Sequence, residues 1–251
     1  MSLHTSTVEI QTRDGVADGF VAAPADGAQH PAVLLYMDAF GPRPRLEEMA
    51  GRLAEQGYVV LVPNVFYRSG PAPVVDTSDL KDPEARAGTF ETLKPMMAAL
   101  TPDRALSDAD AYLELLRVHP QVSAGPIGVT GYCMGGALAL RTAAYRPRDV
   151  AAVAAFHPGR LVSDAPDSPH RLVGKIRGEV YVASADNDQS MPPEHQQQLD
   201  EALTEAGVRH TCVQYDGAPH GFTMSDTAMY DEAATERHWE ALTDLFGRTL
   251  A

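Results

Sequence analysis

Cysteine is scarce in this sequence, with Cys133 and Cys212 the two occurrences in 251 residues. There is no C-x-x-C pair and no run combining Cys with His, so neither a disulfide framework nor a structural zinc site is expected. Basic residues are also few, 20 against 34 acidic, and the formal charge of −14 argues against a nucleic-acid backbone or an anionic membrane surface as partner. A small anionic substrate stays compatible, because a few placed arginines dominate the field inside a cleft. No stretch approaches the ~18 uninterrupted apolar residues of a spanning helix. The N-terminal MSLHTSTVEIQTRDG lacks the basic-then-apolar pattern of an export signal. Internal repeats, low-complexity tracts and linkers are missing too. The expectation is one soluble, cytoplasmic domain over residues 1–251, monomer or homodimer, with a core that 44% hydrophobic content can supply.

What is present is an alternation of strands and helices. Thr7–Gln11 and Gly19–Ala22, either side of Asp14-Gly15, read as an antiparallel strand pair. Ala32–Met37 and Tyr58–Val62 are continuous apolar runs suited to a sheet buried on both faces. Between them Leu46, Met49, Ala50 and Leu53 have helical spacing over Arg45–Gln56, ended by Gly57. Residues 64–102 are rich in Pro and Asp, with one helical segment near Ala85–Leu100. An insertion of that length is expected to form a rim or lid over a site. Helices are then expected at Asp103–Val118, Met134–Tyr145, Pro193–Ala206 and Met229–Thr249. Strands are expected at Ile127–Thr130, Val150–Phe156, Glu179–Ser184 and Arg209–Tyr215. This order predicts an α/β fold with a mostly parallel central sheet and helices on both faces.

Reactive groups in such a sheet gather on loops leaving the carboxyl ends of strands. Asp38, Arg68, Cys133, His157, Arg160, Asp186, Asp188 and His220 pass that filter. Gly131-Tyr132-Cys133-Met134-Gly135-Gly136 has the nucleophile-elbow pattern G-x-Nuc-x-G between a strand and a helix, with cysteine in place of the usual serine. The chain order nucleophile, acid, histidine is met by Cys133, then Asp186 or Asp188, then His220 in Gly217-Ala218-Pro219-His220-Gly221-Phe222. Asp188, four residues before Pro192, suits the acid that orients the base; Asp186 is the alternative, with turn capping as its ordinary role. Met134 N–H, at a helix start, supplies one oxyanion donor, and Ala39, after the third strand, is the natural second. Cys212, inside a strand with polar neighbours at alternate positions, reads as a buried structural thiol.

The elbow, the Gly-Ala-Pro-His-Gly-Phe loop and Pro63-Asn64-Val65-Phe66-Tyr67-Arg68 together resemble the dienelactone hydrolase family from about Thr7 to Leu250. The resemblance implies a single α/β-hydrolase domain, no cofactor or metal, and a Cys-Asp-His triad hydrolysing a small ester or lactone through a thioester. Aligned by the proline of its loop, it places the family's aspartate on Asp188, and it places a substrate-carboxylate arginine on Arg68. Two positions depart from the pattern. Asp38 stands where the family carries a glutamate that engages the resting thiol, and Met224 stands where it carries a second substrate arginine. Arg160, in Phe156-His157-Pro158-Gly159-Arg160, is a candidate to restore that cation. The competing readings are a broad carboxylesterase or thioesterase in which Arg68 has no substrate role, an oxidisable Cys133 in a non-catalytic protein, and a metallohydrolase using Asp38, Asp186, Asp188, His157 and His220.

Overall fold

The computed structural model describes residues 2–250. Two compact units, divided at residue 125, are each built around four strands. In the first, β1 (Leu3–Thr12) and β2 (Gly15–Pro24) form an antiparallel hairpin, followed by β3 (Ala32–Tyr36), α1 (Pro44–Glu55) and β4 (Val59–Pro63). The strand order is β1-β2-β4-β3, with β2 antiparallel and β3 parallel to β4. Both hairpin strands are longer than the expected Thr7–Gln11 and Gly19–Ala22. They pair in unbroken register from Leu3↔Pro24 to Thr12↔Gly15, because backbone pairing continues where side-chain alternation has lapsed. Every residue of β3 and β4 is buried, as continuous apolar runs require. Leu46, Met49, Ala50, Leu53 and Ala54 form the buried stripe of α1, which packs on β2 and β4.

The insertion is more regular than its composition predicts. After a single 3-10 turn at Tyr67–Ser69 and an irregular run come α2 (Pro83–Ala99) and α3 (Pro102–Val118). Asp82 caps α2 and Thr101 caps α3, each accepting from a backbone N–H three residues on. Leu93 alone in α2 is buried. Asp108 on α3 is buried, and its carboxylate receives the Arg68 guanidinium in fork geometry at 2.7 and 2.8 Å and the Tyr67 hydroxyl at 3.0 Å.

The second unit alternates strictly: β5 (Ile127–Tyr132), α4 (Met134–Tyr145), β6 (Val150–Phe156), α5 (Pro169–Leu172), β7 (Glu179–Ala185), α6 (Pro193–Glu205), β8 (His210–Tyr215) and α7 (Glu232–Thr249). The four strands pair in parallel in sequence order. A Cβ built on Gly128 would meet Phe246 of α7 at 2.7 Å, whereas Ala155 of β6 touches α4 beside Gly136. Gly128 pairs with Ala152, and residues 152 and 155 have opposite parity. Hence α4 and α7 cover opposite faces of this half, as the period of two in a strand demands. The short α5 was not expected from sequence; four residues carry no readable period. No helix among the described residues is long and apolar enough to cross a membrane.

Replacing Asp108 with Ala would leave the Arg68 guanidinium and the Tyr67 hydroxyl without their shared acceptor. Removing one partner of a largely buried pair costs roughly 2–4 kcal/mol, and urea unfolding of the variant is expected to show a loss of that size at neutral pH.

Candidate active site

Cys133 is the sole residue between β5 and α4, with φ 54° and ψ −120°. Side chains other than glycine rarely adopt that region, so the surrounding structure must hold it there. Its N–H donates to Phe156 O at 3.2 Å, and its carbonyl accepts from Gly136 N at 3.1 Å and Gly159 N at 3.3 Å. Gly131 makes the bend possible: a Cβ there would lie 2.0 Å from the Gly135 carbonyl oxygen. A Cβ on Gly136 would lie 2.8 Å from that of Pro158, so α4 passes close under the following loop. As the first residue of α4, Met134 has a backbone N–H with no acceptor within the helix. That donor points the way of the helix dipole, next to the sulfur-bearing residue.

The loop after β8 brings His220 to this sulfur, close enough for a hydrogen bond between the two side chains. On its other side, His220 Nδ1 meets Asp188 Oδ2 at 2.6 Å. Asp188 follows β7, and its side chain is only 5% exposed. Its second oxygen accepts from the Ser190 N–H at 2.8 Å and the Ser190 hydroxyl at 2.7 Å. Burial works against charge on His220, but the neighbouring Cys133 side chain and the Asp188 carboxylate outweigh it and raise the ring to about 10. Burial likewise works to raise Asp188, yet the hydrogen bonds from His220 and Ser190 bring it below the ordinary carboxylate value. Between Asp186 and Asp188, Asn187 takes a left-handed conformation with φ 51°. The two aspartates therefore have separate duties. Asp186 accepts from Gly217 N at 3.0 Å and Gln214 Nε2 at 3.3 Å, tying down the base of the loop that carries His220.

Ser190 was not among the sequence candidates. A serine two residues after an aspartate is an ordinary turn signal, and nothing in the sequence distinguishes this one. His157 is fully buried at φ 37°, its Nε2 2.8 Å from Thr223 Oγ1 and its ring edge-on to His220 with centroids 5.3 Å apart. Burial first, then the neighbouring His220 and His238, lowers its pKa well below the ordinary histidine value, so the ring is neutral and serves as a wall behind His220. Arg160 is exposed, with φ 58°, and its N–H donates to Ser190 O at 2.9 Å. All four non-glycine residues with positive φ among those described, Cys133, His157, Arg160 and Asn187, lie just past the ends of β5, β6 and β7.

Two expected substrate or modulating positions have other occupations. The Asp38 carboxylate is forked onto Arg43 at 2.6 and 2.9 Å and caps Phe40 N, so it is a buried ion-pair partner, not a group left free to meet a thiol. Arg68 is shared between Asp108 and Asp14, 2.8 Å from the latter. Those carboxylates keep it charged despite its partial burial, and they occupy the donors that a substrate carboxylate would need. Met224, where the family carries a second substrate arginine, is an apolar core residue only 1% exposed. Ala39 is buried in the turn after β3. Cys212 is half-buried, with burial first and the adjacent Asp200 second pushing its thiol up to about 12.

Because the folded-state value of His220 lies above the unperturbed 6.5 of a free ring, the imidazole stays doubly protonated as pH rises through neutrality. NMR of ring-labelled protein at pH 8 is expected to show an imidazolium at His220. In Cys133→Ala the main supporting charge is gone, and the titration midpoint is expected to fall by at least one unit.

The dienelactone hydrolase family model matches residues 17–250. Carboxymethylenebutenolidase of Rhodococcus opacus is 29% identical over 236 residues, covering 92% of this chain and 86% of that protein. Two solved structures share the fold. The dienelactone hydrolase of Anabaena variabilis superposes with a TM-score of 0.71 at 16% identity, over 100% of both chains. A metagenomic dienelactone hydrolase-like promiscuous phosphotriesterase superposes with a TM-score of 0.79 at 23% identity, also over 100% of both chains. With its elbow, its parallel strands and a family match spanning nearly all of its length, this chain belongs to the dienelactone hydrolase family, hydrolases built on the α/β-hydrolase fold.

Proposed function

We propose that the chain hydrolyses a small carboxylic ester or lactone through a thioester on Cys133, with His220 as proton carrier and Asp188 as its orienting acid. One observation carries this reading: an unbroken hydrogen-bonded chain from Ser190 through Asp188 to His220, whose ring meets the cysteine of the strained elbow. The resting pair is thiolate and imidazolium. The thiolate attacks the carbonyl carbon, and negative charge gathers on the carbonyl oxygen. The Met134 N–H stabilises that oxyanion. The second donor is assigned to Ala39 N–H on its place in the sequence alone. Collapse breaks the C–O bond, and the departing alkoxide takes the proton from His220 Nε2.

Once acylated, the sulfur no longer carries charge, so the support that raised His220 is lost and the ring becomes a neutral base. It removes a proton from water, whose oxygen attacks the thioester. Collapse returns the thiolate, while the imidazolium keeps the proton. Throughout, Asp188 holds the Nδ1 proton and hence the tautomer that leaves Nε2 facing the reaction. The match over residues 17–250 supports treating the chain as one working domain. It also supports a small-molecule substrate.

A broad carboxylesterase is the second reading, favoured by the engagement of Arg68 with Asp108 and Asp14 and by the burial of Met224. Arg160 is the cation that would select a carboxylate-bearing ester. Its loop adjoins the base, since a Cβ on Gly159 would come within 3.9 Å of His220 Cε1.

Cys133→Ala is expected to retain its far-UV circular dichroism and to lose ester turnover by about 10³-fold or more, the scale of losing a triad nucleophile. Near-normal turnover in the folded variant would remove the assignment. Arg160→Ala, assayed on paired esters with and without a carboxylate, is expected to lower kcat/KM about 10-fold or more on the anionic member only, the scale of one charge-assisted hydrogen bond. An equal loss on both members would favour the broad esterase.

A further inference from the structure

A second cluster of ligating side chains lies on the outer flank of the second unit, on elements the catalytic scheme does not use. The period of two along β8 sets His210, Cys212 and Gln214 on one face, against α6. There Gln196 and Asp200, one helical turn apart, look back at them, with Gln196 Nε2 3.4 Å from Gln214 Oε1 and Asp200 Oδ1 3.2 Å from His210 Nε2. A helix packed on a strand normally buries an apolar stripe; here this part of the contact is polar. One ligand atom each from Asp200, His210 and Cys212 lies within 4.8 Å of the other two.

The tautomer of His210 sharpens the point. Its Nδ1 faces the Val208 carbonyl oxygen at 2.7 Å, and a carbonyl only accepts, so Nδ1 must hold a proton. In the neutral ring Nε2 then presents a lone pair to the Asp200 carboxylate, two acceptors facing one another. Something positive belongs between them: a second ring proton or a metal ion. A backbone carbonyl fixing the far nitrogen is the arrangement that orients histidine ligands in metal sites. The half-buried thiol, already beside the Asp200 carboxylate, supplies the third donor. A cavity of about 300 Å³ adjoins the group, with Asp200, Cys212 and Gln214 among its polar lining and Met191, Leu199 and Val213 among its apolar lining, and it has room for a water ligand.

We propose that Asp200, His210 and Cys212 form a zinc-class site, with three protein ligands and a fourth position open to solvent in that cavity. Carboxylate, imidazole and thiolate are the donor set of a borderline-soft divalent ion, and tetrahedral bonds of roughly 2.0–2.3 Å set ligand atoms about 3–4 Å apart. Closing the present spacing requires only small side-chain shifts. Binding releases the Cys212 proton to solvent as the sulfur–metal bond forms. The ion would cross-brace α6 to β8, the two elements that flank the Asp188 and His220 loops.

Cobalt(II) is the probe, titrated into Cys133→Ala protein so that the catalytic thiol cannot contribute. The expected result is one equivalent per chain and a thiolate-to-cobalt charge-transfer band in the near ultraviolet, displaced by Zn²⁺. That band should vanish in Cys133→Ala/Cys212→Ser, and Asp200→Asn should weaken binding at least tenfold, with circular dichroism confirming that each variant is folded. Zn²⁺ should also raise the Tm of the Cys133→Ala protein and leave that of the Cys212→Ser double variant unchanged. Absence of a cobalt band with metal in hundredfold excess, or a band that survives Cys212→Ser, would overturn the site and leave an ordinary imidazolium–carboxylate pair.

Discussion

One backbone conformation governs the rest of this half of the molecule: the left-handed turn at Cys133. It allows a single residue to end β5 and start α4, so the sulfur stands at the mouth of a helix with a free N–H beside it. Such a conformation costs on the order of 1–3 kcal/mol, offset by three backbone hydrogen bonds on Cys133 itself and by glycines wherever α4 and its neighbours close in. Loops after β6 and β7 carry similar strain at His157, Arg160 and Asn187. The loops after β5, β6 and β7 are thus over-determined by the structure around them.

Electrostatics follow from that placement. Sulfur on one side of His220 and carboxylate on the other make a charge sandwich, and each member depends on the next. Ser190 fixes Asp188, Asp188 fixes the ring, and the ring adjoins the sulfur. His157, held neutral by burial, adds shape behind the base without adding a competing charge.

The elbow was legible in the sequence because its requirement is local: glycine two residues either side of the nucleophile is a steric demand of a few bonds' reach. Strand and helix order was legible for the same reason, through the apolar runs of β3 and β4 and the stripe of α1. Which aspartate meets His220 was harder to read, because Asp186 and Asp188 are separated only by Asn187, and a positive φ at asparagine leaves no mark on a sequence. Side-chain partners were not legible at all. Arg68 finds Asp108 forty residues on, and Asp38 finds Arg43, so two residues that looked free for substrate are held by carboxylate–guanidinium forks. The grouping of Asp200 with His210 and Cys212 was hidden likewise, since it exists only once α6 lies across β8.

The central claim is that the sulfur of Cys133 forms the covalent bond to the acyl group. Rapid quench of the protein with a slowly deacylating activated ester, followed by intact-mass measurement and peptide mapping, addresses it directly. The account predicts one acyl group per chain, cleaved by hydroxylamine as a thioester is, on the peptide containing Cys133. Acyl transfer to Cys212 or to a serine, or steady turnover with no adduct at any quench time, would contradict it.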